Sequence, residues 1–239
     1  MSSSCSGLAS SHPVNCGVGS NSILPKFVVL LIAAAISTAA PTPDPHTLAS
    51  AVDRHYNHLR SLQCQFAEIY TGADMERTES GTLWLKKPGK MRWEYRSPRE
   101  KLFVSDGKEA WFYVPGERQV RKTPVRQLDD LRSPLAFLLG KTRLERELTG
   151  LSLAQDVTPL APHDVILRGV PKAMADRVSQ VLLEITPGNW ISRILIQEVD
   201  GSATEYRFSD PKEDANIADQ RFQFSVPDGV EVINESFGQ

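Results

Sequence analysis

The chain has little cysteine for its length. Three of its 239 residues are cysteines, and Cys5 and Cys16 fall in a stretch that we expect to be removed as a leader. The third, Cys64, then has no partner with which to form a disulfide inside the chain. The mature protein must therefore rely on its hydrophobic core, which a chain of about 200 residues is long enough to build.

Long hydrophobic runs are also missing. The longest is the ten-residue run 27–36, which follows Lys26 and precedes the small residues at 37–40. A membrane-spanning helix needs about 20 apolar residues, whereas a positive charge, a short apolar run and small residues in this order are typical of a secretory signal peptide. We predict a signal peptide over residues 1–39 and a single exported domain over residues 40–239.

Neither sign of charge is in large excess. Lys and Arg together number 27 and Asp and Glu 29, which gives a net charge of −2, and loss of the leader changes it to −3. Proteins that bind nucleic acids generally carry a basic excess that neutralises phosphates. The composition therefore argues against nucleic acid as a partner.

Catalytic motifs are absent as well. The sequence contains no His-Glu-x-x-His, Gly-x-Ser-x-Gly, Gly-x-x-x-x-Gly-Lys or Cys-x-x-Cys pattern. His55 and His58 have the spacing of a chelating pair on a helix, but a third ligand is not evident and a solvated helix face is the better interpretation. Cys64, next but one to Phe66, fits a buried inert thiol better than a nucleophile. We predict no enzymatic activity, no catalytic residue, no metal and no cofactor.

The mature chain opens with a stripe of apolar residues at helical spacing, which predicts a first helix at about 46–60. The stripe consists of Leu48, Val52, Tyr56 and Leu59. Strand-like alternation follows, for example where Met91, Trp93 and Tyr95 alternate with charged residues. Turn signals such as the Asp-Gly pair at 106–107 separate the strands, and this pattern is typical of an antiparallel meander.

Two more short helices are predicted over about 128–140, with a break at Ser133 and an end at Gly140. Strands resume after Thr149, and residues 222–226 and 230–233 are also predicted to be extended. These elements favour a mainly β fold of the α+β class. Its large antiparallel sheet would form an incomplete barrel, or half-barrel, covered by about three short helices. The interior would be a solid core or a ligand cavity.

Aromatic residues concentrate in one part of the sheet. Seven of the eighteen lie within residues 84–113, a stretch that also contains eight basic residues. Such strands can stack single-stranded nucleic acid, but export and the acidic balance make that improbable here. A sheet with one apolar and one solvated face explains most of these residues, and the functional alternative is a surface that docks an acidic partner protein.

Five segments, in their order along the chain, resemble the LolA family of outer-membrane lipoprotein carriers. They are residues 81–88, 91–95, 104–113, 133–140 and 222–230. The resemblance spans nearly all of 45–233 and implies an incomplete antiparallel β-barrel with a helical lid over a hydrophobic cavity. It also implies partners: acylated lipoproteins, an inner-membrane ABC transporter similar to LolCDE, and an outer-membrane receptor similar to LolB where one exists. We expect a periplasmic monomer.

The resemblance also suggests site residues. The family has an arginine, thought to latch the lid, where this chain has Lys87, so Lys87 is the candidate latch although lysine offers fewer donors. Leu83 and Leu85 share the strand parity of Lys87. The predicted acyl-cavity residues are Tyr56, Phe66, Leu83, Leu85, Met91, Trp93, Leu135 and Leu138.

Two other functions compete with that of a carrier. A sensor of lipids or mislocalised lipoproteins could use the same fold, and it would be expected to carry a second domain for its signalling partner. A hydrolase acting on a lipid-like substrate would need a nucleophile and a base, and the sequence has no signature of that pair.

Overall fold

The first element of the protein is a capped helix. The computed structural model describes residues 43–125 and 143–234, and α1 is Pro45–His58. The helix begins there because the Asp44 carboxylate accepts a hydrogen bond from the backbone N–H of Thr47 at 2.8 Å. Its bounds agree with the predicted 46–60 to within two residues.

Twelve strands of one sheet make up most of the described residues. They are β1 (Ser61–Gly72), β2 (Met75–Lys86), β3 (Lys90–Ser97), β4 (Lys101–Asp106), β5 (Glu109–Tyr113), β6 (Gln119–Pro124), β7 (Leu148–Leu153), β8 (Val165–Pro171), β9 (Val178–Ile185), β10 (Ile191–Glu198), β11 (Ala203–Glu213) and β12 (Glu231–Asn234). A second helix, α2, spans Leu144–Glu147. The mainly β prediction is therefore confirmed.

The strands form two antiparallel meanders that meet in the middle of the sheet. Their order is β12-β6-β5-β4-β3-β2-β1-β11-β10-β9-β8-β7. The contact between β1 and β11 joins the two meanders. The sheet is antiparallel, as predicted, except at one edge, where β12 pairs in parallel with β6. A strand joined to its neighbour by a tight hairpin must be antiparallel to it. β12 instead reaches β6 through a long connection from β11, so it can pair in either direction.

The sheet curls around α1. The helix contacts β7 at one edge and, through Lys87, the end of β2 six strands away. Six strand spacings in a flat sheet amount to about 29 Å, whereas a helix of fourteen residues is only about 21 Å long. We call the face that packs against α1 the inner face and the opposite one the outer face.

Other expectations differ from the structure or fall beyond it. Residues 222–226 do not form a strand; the 3₁₀ turn Asp219–Phe222 buries Phe222 against Trp84 instead. A single large ring packs better in that site than an alternating strand would. The predicted helices over 128–140, including Leu135 and Leu138, lie outside the described residues, as does the predicted signal peptide. α2 was not predicted.

Across the two described ranges, none of the helices combines the length and the apolar character that crossing a membrane requires.

Candidate functional site

Lys87 follows β2 and reaches the carboxyl end of α1. Its Nζ donates to the carbonyl oxygens of Tyr56 at 2.7 Å and Asn57 at 3.0 Å. These carbonyls belong to the last turn of a helix, where intrahelical donors run out and the dipole favours a cation. Partial burial lowers the pKa of Lys87, and the nearby Asp214 carboxylate opposes that shift. Lys87 thus connects the sheet to α1, while its role as a latch stays a prediction.

Two further contacts hold the same end of α1. The Tyr56 hydroxyl accepts a hydrogen bond from the backbone N–H of Ile191 at 3.1 Å, and the Tyr56 ring stacks on Trp190. Burial raises the pKa of Tyr56, so its hydroxyl stays neutral. His55 Nε2 lies 2.9 Å from Glu213 Oε1. The carboxyl end of α1 is therefore fastened to both meanders.

The predicted cavity residues that the structure describes all belong to one apolar cluster on the inner face. They are Tyr56, Phe66, Leu83, Leu85, Met91 and Trp93. Leu83 pairs directly with Trp93, and Leu85 with Met91, and side chains opposite each other in an antiparallel pair share a face. The cluster continues over β8 to β11 and α1. Contact of these residues with acyl chains remains a prediction.

The interior is tightly packed in this conformation. The rings of Phe66 and Trp93 meet edge to face with centroids 4.7 Å apart, and Trp93 also contacts Phe208 at 6.4 Å. A pocket beside Lys87 measures about 20 Å³, roughly the room of one water molecule. Where the structure describes the inner face around Lys87, Phe66 and Trp93, an apolar guest would therefore have to displace α1 or a neighbouring side chain.

The polar contacts of α1 extend to α2. Both carboxylate oxygens of Asp53 accept from the backbone N–H of Leu144, at 3.1 and 2.9 Å. Burial raises the pKa of Asp53, and this hydrogen bond opposes the shift. Leu144 is itself buried in the inner cluster. A displacement of α1 must therefore carry α2 along or break this link.

The candidate reactive groups are engaged elsewhere. Cys64 is 1% exposed on the inner face, and burial raises its pKa to about 12, which agrees with an inert thiol. His58 Nδ1 lies 2.6 Å from the carbonyl oxygen of Arg54, and His55 contacts Glu213. In residues 43–125 and 143–234, no three His, Cys, Asp or Glu side chains are grouped so as to hold a metal ion.

The outer face carries a pocket of about 580 Å³ that the sequence did not predict. Trp84 lies at its base, and the Arg221 guanidinium is 4.7 Å from the Trp84 ring centroid. Asp219, between the lining residues Ala218 and Gln220, contacts Lys86 and Lys90 at 2.7 and 2.9 Å. The hydrogen bond from Lys86, followed by that from Lys90, lowers the pKa of Asp219 to about 2. Two of the basic residues in 84–113, Lys86 and Lys90, are thus paired with an acidic residue of the same chain.

Sequence reasoning also missed a group of polar residues on the inner face. Glu68 and Glu79 occupy inner positions of β1 and β2, directly opposite each other, and Lys101 follows in β4 beside Tyr95. The alternation along each strand did indicate that both glutamates face inward, because Glu68 and Glu79 continue the two-residue spacing of the apolar inner residues of their strands. Their pairing across strands could not be deduced from that parity.

The family model and the relatives found by sequence agree on one family. Residues 57–225 match the family model described as outer membrane lipoprotein carrier protein LolA. The outer-membrane lipoprotein carrier protein of Dechloromonas aromatica is 30% identical over 192 residues, which covers 78% of this chain and 89% of that protein. The protein of the same name from Nitrosospira multiformis is 29% identical over 182 residues, covering 74% and 84%.

A solved structure of a LolA superfamily protein from Nitrosomonas europaea is also similar. It is 12% identical, with a TM-score of 0.43, and the match covers 77% of this chain and 99% of that one.

Proposed function

Because the chain belongs to the LolA family, we propose that it carries outer-membrane lipoproteins by holding their acyl chains against its inner face. The observation that supports this most directly is the continuous apolar cluster between α1 and the sheet. Acyl chains gain about 0.8 kcal/mol for each methylene removed from water, so such a surface can hold them without covalent chemistry. The proposed activity is therefore binding and transfer, not catalysis.

The proposal extends to parts of the chain outside the described residues. Residues 1–39 would direct export to the periplasm, and residues 40–239 would act there as a single domain. The curled sheet would function as an incomplete barrel, with α1 and the segment 128–140, including Leu135 and Leu138, as its lid. The partners would be a LolCDE-like transporter that loads the carrier and a LolB-like receptor that unloads it.

Binding and release would be balanced through α1. When an acyl chain enters, α1 must lose its contacts with the sheet. These are the hydrogen bond that Lys87 donates to α1 and the contacts that Tyr56 and His55 of α1 make with the sheet. The same contacts form again when the chain leaves, and they favour release. Since the sequence has no nucleotide-binding motif, this closed state would supply part of the free energy for delivery.

Co-purification tests the function directly. The mature protein, isolated from cells that export it, is expected to carry acylated proteins that mass spectrometry can identify by their lipidated amino-terminal peptides. Recovery without any acylated protein, together with no transfer of a purified lipoprotein from membranes, would contradict the proposal.

The latch role of Lys87 predicts a split between loading and delivery. Lys87→Leu removes both donors to the last turn of α1, which should destabilise the closed state by about 1–3 kcal/mol. The variant should accept lipoproteins from donor membranes but deliver them poorly, and Lys87→Arg should deliver at least as well as the wild type. A two-step assay that scores loading and delivery separately measures this.

Lys86→Leu is the matched control for this prediction. Lys86 is the neighbouring residue, but its Nζ donates to the carbonyl of Ile217 and to Asp219 on the outer face. The control variant should load and deliver normally. Delivery by Lys87→Leu as efficient as that of the wild type would mean that Lys87 is an ordinary solvated turn residue.

A further inference from the structure

On β1 to β4 the inner face changes from apolar to polar along the strands. Nearest the carboxyl end of α1 these strands present Leu62, Leu85 and Met91, and the rings of Phe66 and Trp93 follow. Beyond the rings lies what we call the polar row, which consists of Glu68, Glu79, Tyr95 and Lys101. Glu68 pairs directly with Glu79, and Tyr95 with Lys101. All four therefore share the inner face with Phe66 and Trp93.

The members of the polar row contact one another. Lys101 Nζ lies 2.5 Å from the carboxylate of Glu79, and Glu79 is only 5% exposed. The Tyr95 hydroxyl donates to Glu68 Oε2 at 2.7 Å. Burial, and after it the Glu68 carboxylate, raises the pKa of Tyr95, so the hydroxyl remains a donor. The ammonium of Lys101 also lies 4.8 Å from the Tyr95 ring centroid. A network of this kind resists rearrangement, because an orphaned buried charge is costly.

On β1 to β4 the apolar part of the inner face is short, whereas on β9 and β10 it continues to Val178 and Ile196. Along β1 it runs from Leu62 to Phe66, which is about 13 Å at the rise of a strand. The next inner residue is Glu68, and the ring of Phe66 already contacts that of Tyr95 at 4.9 Å. A guest that extends along β1 to β4 from the α1 end therefore meets the polar row immediately behind the aromatic rings.

We propose that the polar row limits the length of acyl chain that can lie along β1 to β4 of the inner face. The inference rests on the proposed carrier function and adds a substrate preference to it. Each methylene that enters the apolar part should raise affinity about fourfold. Methylenes that reach the row would cover paired charges without replacing their interactions, so they gain nothing. Affinity should rise with chain length and then stay constant.

A paired substitution removes the limit without leaving an isolated charge. Glu79→Leu/Lys101→Leu deletes both ions of the buried pair and extends the apolar surface, and Arg77, the other partner of Glu79, retains access to solvent. Glu79→Met/Lys101→Met is a second variant that removes both charges and keeps the length of both side chains in case the first does not fold. Asp156→Leu/Arg168→Leu is the matched control, since it removes an ion pair of 2.7 Å on the outer face.

The experiment is a titration of each protein with synthetic diacylated lipopeptides whose saturated chains increase in length. Wild type and control should reach constant affinity at the same chain length. Both inner variants should bind chains two methylenes beyond that length at least tenfold more tightly than the wild type. If a variant of the polar row still unfolds cooperatively but reaches constant affinity at the same chain length as the wild type, the proposed length limit is wrong and the carrier function is unaffected. Failure of the wild type to bind any acyl chain overturns the carrier function and this inference together.

Discussion

Met91→Glu is expected to lower the free energy of unfolding by about 3–5 kcal/mol and to abolish acyl binding. Met91 is 9% exposed and pairs with Leu85 on the inner face, inside the apolar cluster. A carboxylate placed there loses its hydration. Its paired neighbours are Leu85 and Ser105, and the Ser105 hydroxyl already donates to the carbonyl of Gly89, so neither supplies a counter-ion. The substitution therefore tests both the facing of β3 and the use of this face.

The sign of the pH dependence strengthens this prediction. Burial would raise the pKa of the new carboxyl above its unfolded value of about 4.3. The destabilisation should therefore be small below that pH, grow as the pH rises and be complete above the raised pKa. Urea unfolding at acidic and neutral pH measures it, and lipopeptide titration measures binding.

Met75→Glu is the matched control for Met91→Glu. Met75 is 51% exposed at the start of β2, so the same change should alter stability by no more than about 0.5 kcal/mol and leave binding intact. Normal binding and transfer by Met91→Glu would show that this part of the inner face does not receive acyl chains.

Arg193→Met should also cost about 3–5 kcal/mol of stability, but by a mechanism that leaves the inner face untouched. Arg193 Nη2 lies 2.6 Å from Oε2 of Glu184, whose side chain is fully buried. Oε1 of Glu184 accepts a hydrogen bond from the backbone N–H of Leu160 at 2.7 Å. Removing the arginine leaves a buried carboxylate without its counter-ion. This destabilises a protein more than replacing both members of the pair does.

The double variant Glu184→Gln/Arg193→Met separates charge from packing. The glutamine oxygen can still accept from Leu160, and no charge is left behind, so the double variant should be more stable than Arg193→Met alone. Denaturant unfolding of both variants and the wild type gives the comparison. Equal stability of the single variant and the wild type would mean that water or another group solvates Glu184. Acyl binding should be unchanged in the double variant.

Much of the local structure could be predicted from the sequence because it depends on neighbours along the chain. Asp44 and Pro45 fix the start of α1, and the alternation of Met91, Trp93 and Tyr95 with charged residues fixes which side chains of β3 face inward. The ordered segments that resemble the LolA family carried the functional assignment. None of these inferences required knowledge of which strands are adjacent.

Contacts between distant segments were decided only by the tertiary structure. The parallel pairing of β12 with β6 and the link from Asp53 to Leu144 join residues that no local pattern relates. The polar row of Glu68, Glu79, Tyr95 and Lys101 exists because four adjacent strands, β1 to β4, align in register. Side-chain alternation repeats every two residues, so it defines the two faces of each strand. The partner and register of each strand depend on packing summed over the whole sheet, and a single sequence contains no local record of that sum.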